Sequence, residues 1–199
     1  MARPREYSDR EIYQAIYSAL GKYGYASLTL DNIAREIGIS PAALSKRFGS
    51  KKNLLLCYMD MVIESTRLAF AERLVLPGPK LETLKSLLVR SLGQVGDAKS
   101  LANITSLFIE SVSDPDLLER SRIRLQVIGD GVLLFIREAI ENGELPNLGS
   151  DDAATTARVL QAAIAGSLLI WLNDPATSLE SWLDDCFSVV LGPVNNLKE

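Results

Sequence analysis

The stretch TLDNIAREIGISPAALSKRFGSKK, from Thr29 to Lys52, constrains the fold of this chain more than any other part of it. Leu30, Ile33, Ala34 and Ile37 recur at i, i+3, i+4 and i+7, which lays one apolar stripe along a short helix. Gly38 follows at the helix-stop position, where a left-handed backbone costs least because there is no Cβ. Ser40 can then cap a second helix. Pro41 suits its first position, since proline lacks only an N–H that would be orphaned there. Leu44 and Phe48 turn this helix inward and leave Ala42, Ala43, Ser45, Lys46 and Arg47 outside. The pattern predicts two short helices joined by a tight turn, then the start of a third. Small residues at the front of a helix permit close approach, and the two later cations can meet phosphate, so this helix suits a major groove.

The flanks extend the pattern. Ser8 with Glu11 three residues on forms a capping box for a preceding helix. Ile12, Ile16, Ala19, Leu20 and Tyr23 are expected on its buried face, with Gly24 at its end. Thr29 caps the helix that reaches Ile37. Ser50 caps a long helix from Lys51 to about Val75, with Leu54, Leu55, Tyr58, Met61 and Val62 inward. Lys51 and Lys52 stand in its first turn, where positive charge opposes the helix dipole; a nearby phosphate would account for them, as would plain solvation. Arg3 and Arg5 flank Pro4 in an extended arm, which either reaches a minor groove or is an ordinary loose terminus.

Charge follows the same division. Residues 1–52 carry nine Lys and Arg against five acids, a net of +4. The remainder carries twelve against twenty, a net of −8, within a chain of net charge −4. A basic head on an acidic body is what a chain needs if only the head meets a polyanion.

The residues at 28–52 resemble the DNA-binding motif of the TetR family of bacterial transcriptional regulators. Leu28-Thr29, Ile33-Ala34, Gly38-Ile39-Ser40, Leu44, Phe48 and Ser50-Lys51 fall in that pattern at its spacing. Ser45 departs from it: the family usually carries there a tyrosine that touches the DNA backbone, and a serine hydroxyl donates over a shorter reach. The match covers about a quarter of the chain; beyond it the likeness is one of helix pattern only. The resemblance implies an all-α fold with an N-terminal three-helix DNA-binding domain containing a helix-turn-helix, followed by a helical C-terminal ligand-binding and dimerisation domain. The division is expected at 1–52 and 53–199.

The body reads as helices throughout. Pro77-Gly78-Pro79 breaks the fourth helix. Helices are expected at about 80–95 and 98–112, from Asp114-Pro115 to about Ile140 with Asn142-Gly143 as stop, and at about 152–172. Asp174-Pro175 ends that last one. Thr177 with Glu180 reads as a capping box for a final helix ending at Gly192-Pro193. The helix at 152–172 is apolar nearly all round in its second half, so burial on every side is expected there. A partner subunit would supply the second side. Leu160, Ile164 and Leu168, with Leu179, Trp182, Leu183, Phe187 and Val190 of the last helix, are the expected four-helix homodimer interface.

Several chemistries are excluded or unsupported. The 199 residues include no histidine, which rules out a Ser-His-Asp triad and a HExxH zinc site. Gly129-Asp130-Gly131 lies in a helical pattern and lacks the third glycine of a nucleotide-binding loop. Asp151-Asp152 and Asp184-Asp185 point to different helix faces and make poor metal sites. Cys57 and Cys186 fit no metal or redox spacing and read as packed thiols. No enzyme activity, cofactor or metal is expected. No run reaches ~18 uncharged apolar residues, so no membrane span is expected, and nothing at the N-terminus resembles a signal peptide; a cytoplasmic protein is expected.

The expected function is a homodimeric regulator, a repressor released from a palindromic double-stranded DNA operator by a small, mostly apolar effector. Thr29, Ser45, Lys46 and Lys51 would hold phosphates, with Ser40 in the same DNA-facing set. Pro41, Ala42, Ala43 and Arg47 would face base edges. Phe108, Leu125, Ile128, Leu134, Phe135 and Trp171 are the candidate lining of the effector pocket. The alternatives are an activator or protein-partnered regulator of the same fold without an effector, and a helical enzyme or binding module that ignores DNA.

Overall fold

Helix ends in this protein are set by side chains, and the computed structural model, which describes residues 7–93, 97–174 and 176–192, shows most of them where the sequence places them. The arm with Arg3 and Arg5, together with Pro175 and Pro193, lies outside the described residues. Nine α-helices and no strand occur among the described residues. Helix α1 is Asp9–Ser27, α2 Leu30–Ile37, α3 Pro41–Phe48 and α4 Lys51–Leu74. Helix α5 is Lys80–Gly93, α6 Ala98–Glu110, α7 Pro115–Glu141, α8 Ala153–Asn173 and α9 Leu179–Leu191. The Ser8–Glu11 capping box forms in full at α1. Thr29 makes a second box with Asn32 at α2. Ser40 Oγ accepts from Ala43 N at 3.2 Å at α3, and Ser50 Oγ accepts from Asn53 N at 3.1 Å at α4.

The regular part of α1 ends at Gly24, as expected, where φ 69° and ψ 167° leave the helical range, and one further turn carries the chain on to Ser27. Two local expectations are corrected. Tyr23, the residue before that break, is exposed and not on the buried face. The last helix is capped one residue later than Thr177: Ser178 Oγ accepts from Ser181 N at 3.2 Å. Thr177 instead accepts from the Trp171 indole N–H at 2.7 Å.

The described residues fall into two compact units, one of those within 1–62 and 95–122, the other of those within 63–94 and 123–199. Each has its own core. The first is built on Ile12, Ile16, Leu20, Ile33, Leu44, Leu54 and Leu55, and it takes in Leu107 and Leu117 from the later segment. Helix α6 packs along α1. Where Gly24 interrupts α1, α6 supplies the missing partners: Asn103 Nδ2 donates to Gly21 O at 2.7 Å and Tyr25 N donates to Ser106 Oγ at 3.3 Å. The functional division expected after residue 52 and the division by packing are thus drawn along different lines.

The second core gathers Phe70, Leu84, Val132, Phe135, Ile136, Leu160 and Leu183, with Ala139, Ala153 and Ala157 allowing close helix approach. Glu144 is buried there and accepts from Lys80 N at 2.7 Å and Leu81 N at 3.0 Å. Its carboxylate closes the N-terminus of α5, where orphan N–H groups and the helix dipole favour negative charge. Lys80 Nζ donates to Leu74 O and Leu76 O at 2.7 and 2.9 Å, so the Pro77–Pro79 turn is pinned from both sides. Cys186 is buried beside Ser167 Oγ at 3.1 Å.

Helix α8 buries one side against this chain's own core and leaves Val159, Leu169 and Ile170 half-exposed in the single chain. With the preceding turn, Ser150–Asn173 has a mean hydropathy of 1.4 over its most apolar window and is long enough to cross a membrane by length and composition. Arg158 interrupts the segment, so its uncharged run stays below the ~18 residues that a membrane span needs. An interface helix has the same composition.

Candidate functional site: the exposed helix of the head

Helix α3 buries Leu44 in the core and half-buries Phe48 against it. Leu44 is 1% exposed, while Pro41, Ala42, Ala43, Ser45, Lys46 and Arg47 are all exposed. Gly38 turns the chain between α2 and α3 at φ 72°, ψ 36°, the left-handed conformation expected of it. No acid lies on α3. The arrangement is a short helix held from behind, presenting small residues at its N-terminal end and cations at its C-terminal end.

The expected DNA-facing residues differ in how free they are. Lys46 is exposed and has no ion pair among the described residues. Ser45 Oγ donates to Gly49 O at 3.4 Å. The Thr29 hydroxyl is held in its capping box, donating to Asn32 Oδ1 at 2.7 Å and accepting from Asn32 N at 3.1 Å. Arg47 is turned back on the start of α1: it pairs with Asp9 and donates to Tyr7 O at 2.9 Å. Lys51 donates to Tyr25 O at 3.0 Å and lies over the Tyr25 ring at 5.0 Å. Burial pushes its ammonium below the ordinary lysine range. Lys52 pairs with Asp114 at 2.9 Å and Asp116 at 2.7 Å, and both bonds raise its pKa. The two cations that oppose the α4 dipole therefore have tertiary partners, which a local reading of the helix could not supply. Arg35, exposed in the last turn of α2, is a further cation near this face without an ion pair among the described residues, and the sequence reading did not single it out. Behind the face, Glu36 joins α2 to α1. It accepts from Ser18 Oγ at 2.7 Å and from Lys22 Nζ at 2.7 Å. Hydrogen bonds from Lys22, then Ser18, hold its carboxyl below the usual range.

A second feature lies in the other unit. A groove of about 470 Å³ opens between α4 and α7. Helix α4 lines it with Arg67, Phe70, Ala71, Leu74 and Val75, and α7 with Ile123, Gln126, Val127, Asp130, Gly131, Leu134 and Phe135. Of the six residues expected to line an effector pocket, Leu134 and Phe135 are there. Ile128 packs against the second core and Leu125 is exposed. Trp171 is held by Thr177, and Phe108 packs against the core of the first unit. The α4 wall went unseen because its residues read equally well as ordinary core. No group of three potential metal ligands occurs among the described residues.

Of the residues expected to pair two subunits, Leu160, Ile164, Leu183 and Phe187 face the chain's own second core. Leu168, Leu179, Trp182 and Val190 are partly buried, and the Trp182 indole N–H is buried without a partner among the described residues. The outward apolar surface of the two helices is carried by Val159, Leu169 and Ile170 on α8 and Val189 on α9.

A capped helix-turn-helix with an exposed, acid-free second helix defines a DNA-binding regulator. Comparison with known proteins agrees. Residues 12–57 match the model of the bacterial regulatory proteins, tetR family. The HTH-type transcriptional regulator YezE of Bacillus subtilis is 22% identical over 96% of this chain and 100% of its own. A TetR transcription regulator from Haloarcula marismortui superposes with a TM-score of 0.73 at 25% identity, covering 92% of this chain and 95% of its own. The regulator FadR from Bacillus subtilis, solved in complex with stearoyl-CoA, shares the fold with a TM-score of 0.74 at 17% identity, over 94% of this chain and all of its own. Residues 12–57 thus match the DNA-binding part of the TetR family, and along its length the chain is similar to helix-turn-helix transcriptional regulators of that family.

Proposed function

We propose that this protein is a cytoplasmic homodimeric repressor that leaves a palindromic operator when a small, mostly apolar effector binds. The observation that carries the DNA half is the exposed face of α3, which gives all but Leu44 and the half-buried Phe48 to solvent. In this reading residues 1–52 are the DNA-binding domain and 53–199 the effector-binding and dimerisation domain. Lys46, Ser45, Thr29 and Lys51 meet phosphates beside Ser40, and Pro41, Ala42, Ala43 and Arg47 face base edges. Arg47 must exchange Asp9 for guanine to do so. Dimerisation is supported by the apolar surface that α8 and α9 leave in water and by the unpartnered Trp182 N–H. Gly166 meets nothing within 4 Å at its Cβ position, so the middle of α8 is open to close approach by a second helix. Two heads joined in this way read half-sites about one helical turn (~10 bp), or a multiple, apart.

The effector is assigned to the α4–α7 groove, whose volume lies within the ordinary range for small-molecule sites, roughly 300–1,000 Å³. An effector acts only if it binds the DNA-competent and DNA-incompetent states with different affinity. The test is a salt titration of binding to the DNA upstream of the protein's own gene. Wild-type affinity should fall steeply with salt, and Lys46→Ala should weaken binding to every sequence and flatten the log–log slope by about one. Salt-insensitive binding, or no binding to any such duplex, sinks the proposal.

A further inference from the structure

The α4–α7 groove has a chemical preference written into its lining. Its two walls are single helical stripes. On α4 Arg67, Phe70, Ala71 and Leu74 follow at i, i+3, i+4 and i+7, and on α7 Ile123, Val127, Asp130 and Leu134 follow at i, i+4, i+7 and i+11. Most of this surface is apolar, and Val75 and Leu134 remain 80% and 46% exposed, so apolar surface stands in water with nothing among the described residues to cover it. The floor is shaped by a glycine: a Cβ on Gly131 would come within 2.3–2.7 Å of three Phe70 ring carbons, so the ring lies close against the α7 backbone. Phe70 in turn meets Phe135 edge-on at 6.2 Å.

Three side chains in the lining are polar, and they are not equivalent. Arg67 Nη1 donates to Glu64 Oε1 at 2.7 Å, so an acid stands beside its charge within the same turn, whereas no cation among the described residues pairs with Asp130. Gln126 is neutral. Asp130 stands one helical turn from both Gln126 and Leu134, exposed on the rim, with no ion pair or hydrogen bond among the described residues. The one uncompensated charge of an apolar groove is therefore negative. It sits in a part of the chain that is itself net negative, where an anion is repelled and a cation attracted.

We propose that the groove binds a small organic cation with an extended apolar body. The cationic group sits at Asp130, and the body lies along Phe70, Leu74, Val127 and Leu134. A carboxylate ligand would have to take Arg67 from Glu64 and then lie beside Asp130. A neutral ligand would gain the apolar burial but leave Asp130 unpaired. The inference gives the effector site of the proposed regulator its ligand class and rests on that reading for its biological meaning.

Decylammonium, decanol and decanoate share one body and differ in head charge, so titrating each into the full-length protein at pH 7, below micelle formation, isolates the preference. The expected result from calorimetry is one site per subunit, with decylammonium bound about tenfold or more tighter than the other two, the scale of a charge-assisted contact. Asp130→Asn should bring decylammonium down to the level of decanol. Leu134→Trp, a change at the exposed rim, should fill the groove and abolish binding of all three while the melting temperature is kept. Equal affinities, a preference for decanoate, selectivity that survives Asp130→Asn, binding that survives Leu134→Trp, or no binding at all would each overturn the proposal. Because no DNA is present, failure here leaves operator binding standing, and failure of operator binding leaves this result standing.

Discussion

Arg47 shows how a single residue can have two partners that compete. Its guanidinium is held by Asp9 and by Tyr7 O at the start of α1, yet it belongs to the exposed face of α3 proposed to meet DNA. An exposed pair of this kind is worth little, typically ~0–1 kcal/mol, so a guanine or phosphate can displace it. Asp9→Asn should therefore release Arg47 and tighten operator binding, measured by fluorescence anisotropy at fixed salt. If affinity is unchanged and only the melting temperature falls, Arg47 is a pin between α3 and α1 and not a contact to bases. Legibility differs residue by residue. Ser8, Thr29, Ser40 and Gly38 were readable because each acts on backbone within four positions of itself. Asp9, Tyr25, Asp114 and Asp116, the partners of Arg47, Lys51 and Lys52, lie from 26 to 64 positions away, where no local pattern reaches.

At the scale of elements, two carboxylates hold helices together. Glu144 closes the N-terminus of α5 while buried. Glu144→Ala leaves two buried N–H groups without an acceptor and should cost about 1–3 kcal/mol in urea unfolding. A loss near zero would mean water replaces the carboxylate at no cost. Glu36 joins α2 to α1, and its carboxyl is held below the usual range by Lys22 and Ser18. A carboxyl depressed in the folded state contributes stability above its unfolded pKa and loses it as pH falls through its folded pKa. Glu36→Gln should accordingly flatten the acid limb of the stability curve below the ordinary carboxylate range and lower stability at neutral pH. An acid limb identical to that of the wild type would remove Glu36 from the account. Helix α6 is the element whose place the sequence hid. Its own periodicity marks an inward face, but only the break at Gly24 creates the open carbonyl and N–H that Asn103 and Ser106 meet.

For the whole molecule, the apolar surface left outside is the decisive quantity. Ile170 is 55% exposed on a helix whose opposite side is already committed to the second core. If the proposed dimer forms through this face, Ile170→Asp should leave helical content unchanged, give a single subunit in sedimentation, and abolish operator binding at concentrations where wild type binds, since the proposed operator has two half-sites to be held at once. A variant that remains dimeric would move the interface elsewhere. The sequence by itself determined the helices, most of their caps, the tight turn at Gly38 and the cationic face of α3, because capping, periodicity and left-handed glycine act over a few residues. Only the tertiary structure decided which side of α8 and α9 faces inward, which cations are paired, and where a groove opens. A helix that is apolar all round carries no phase to say which face is core. A groove exists only when two stripes far apart in sequence, here Arg67–Leu74 and Ile123–Leu134, are brought face to face.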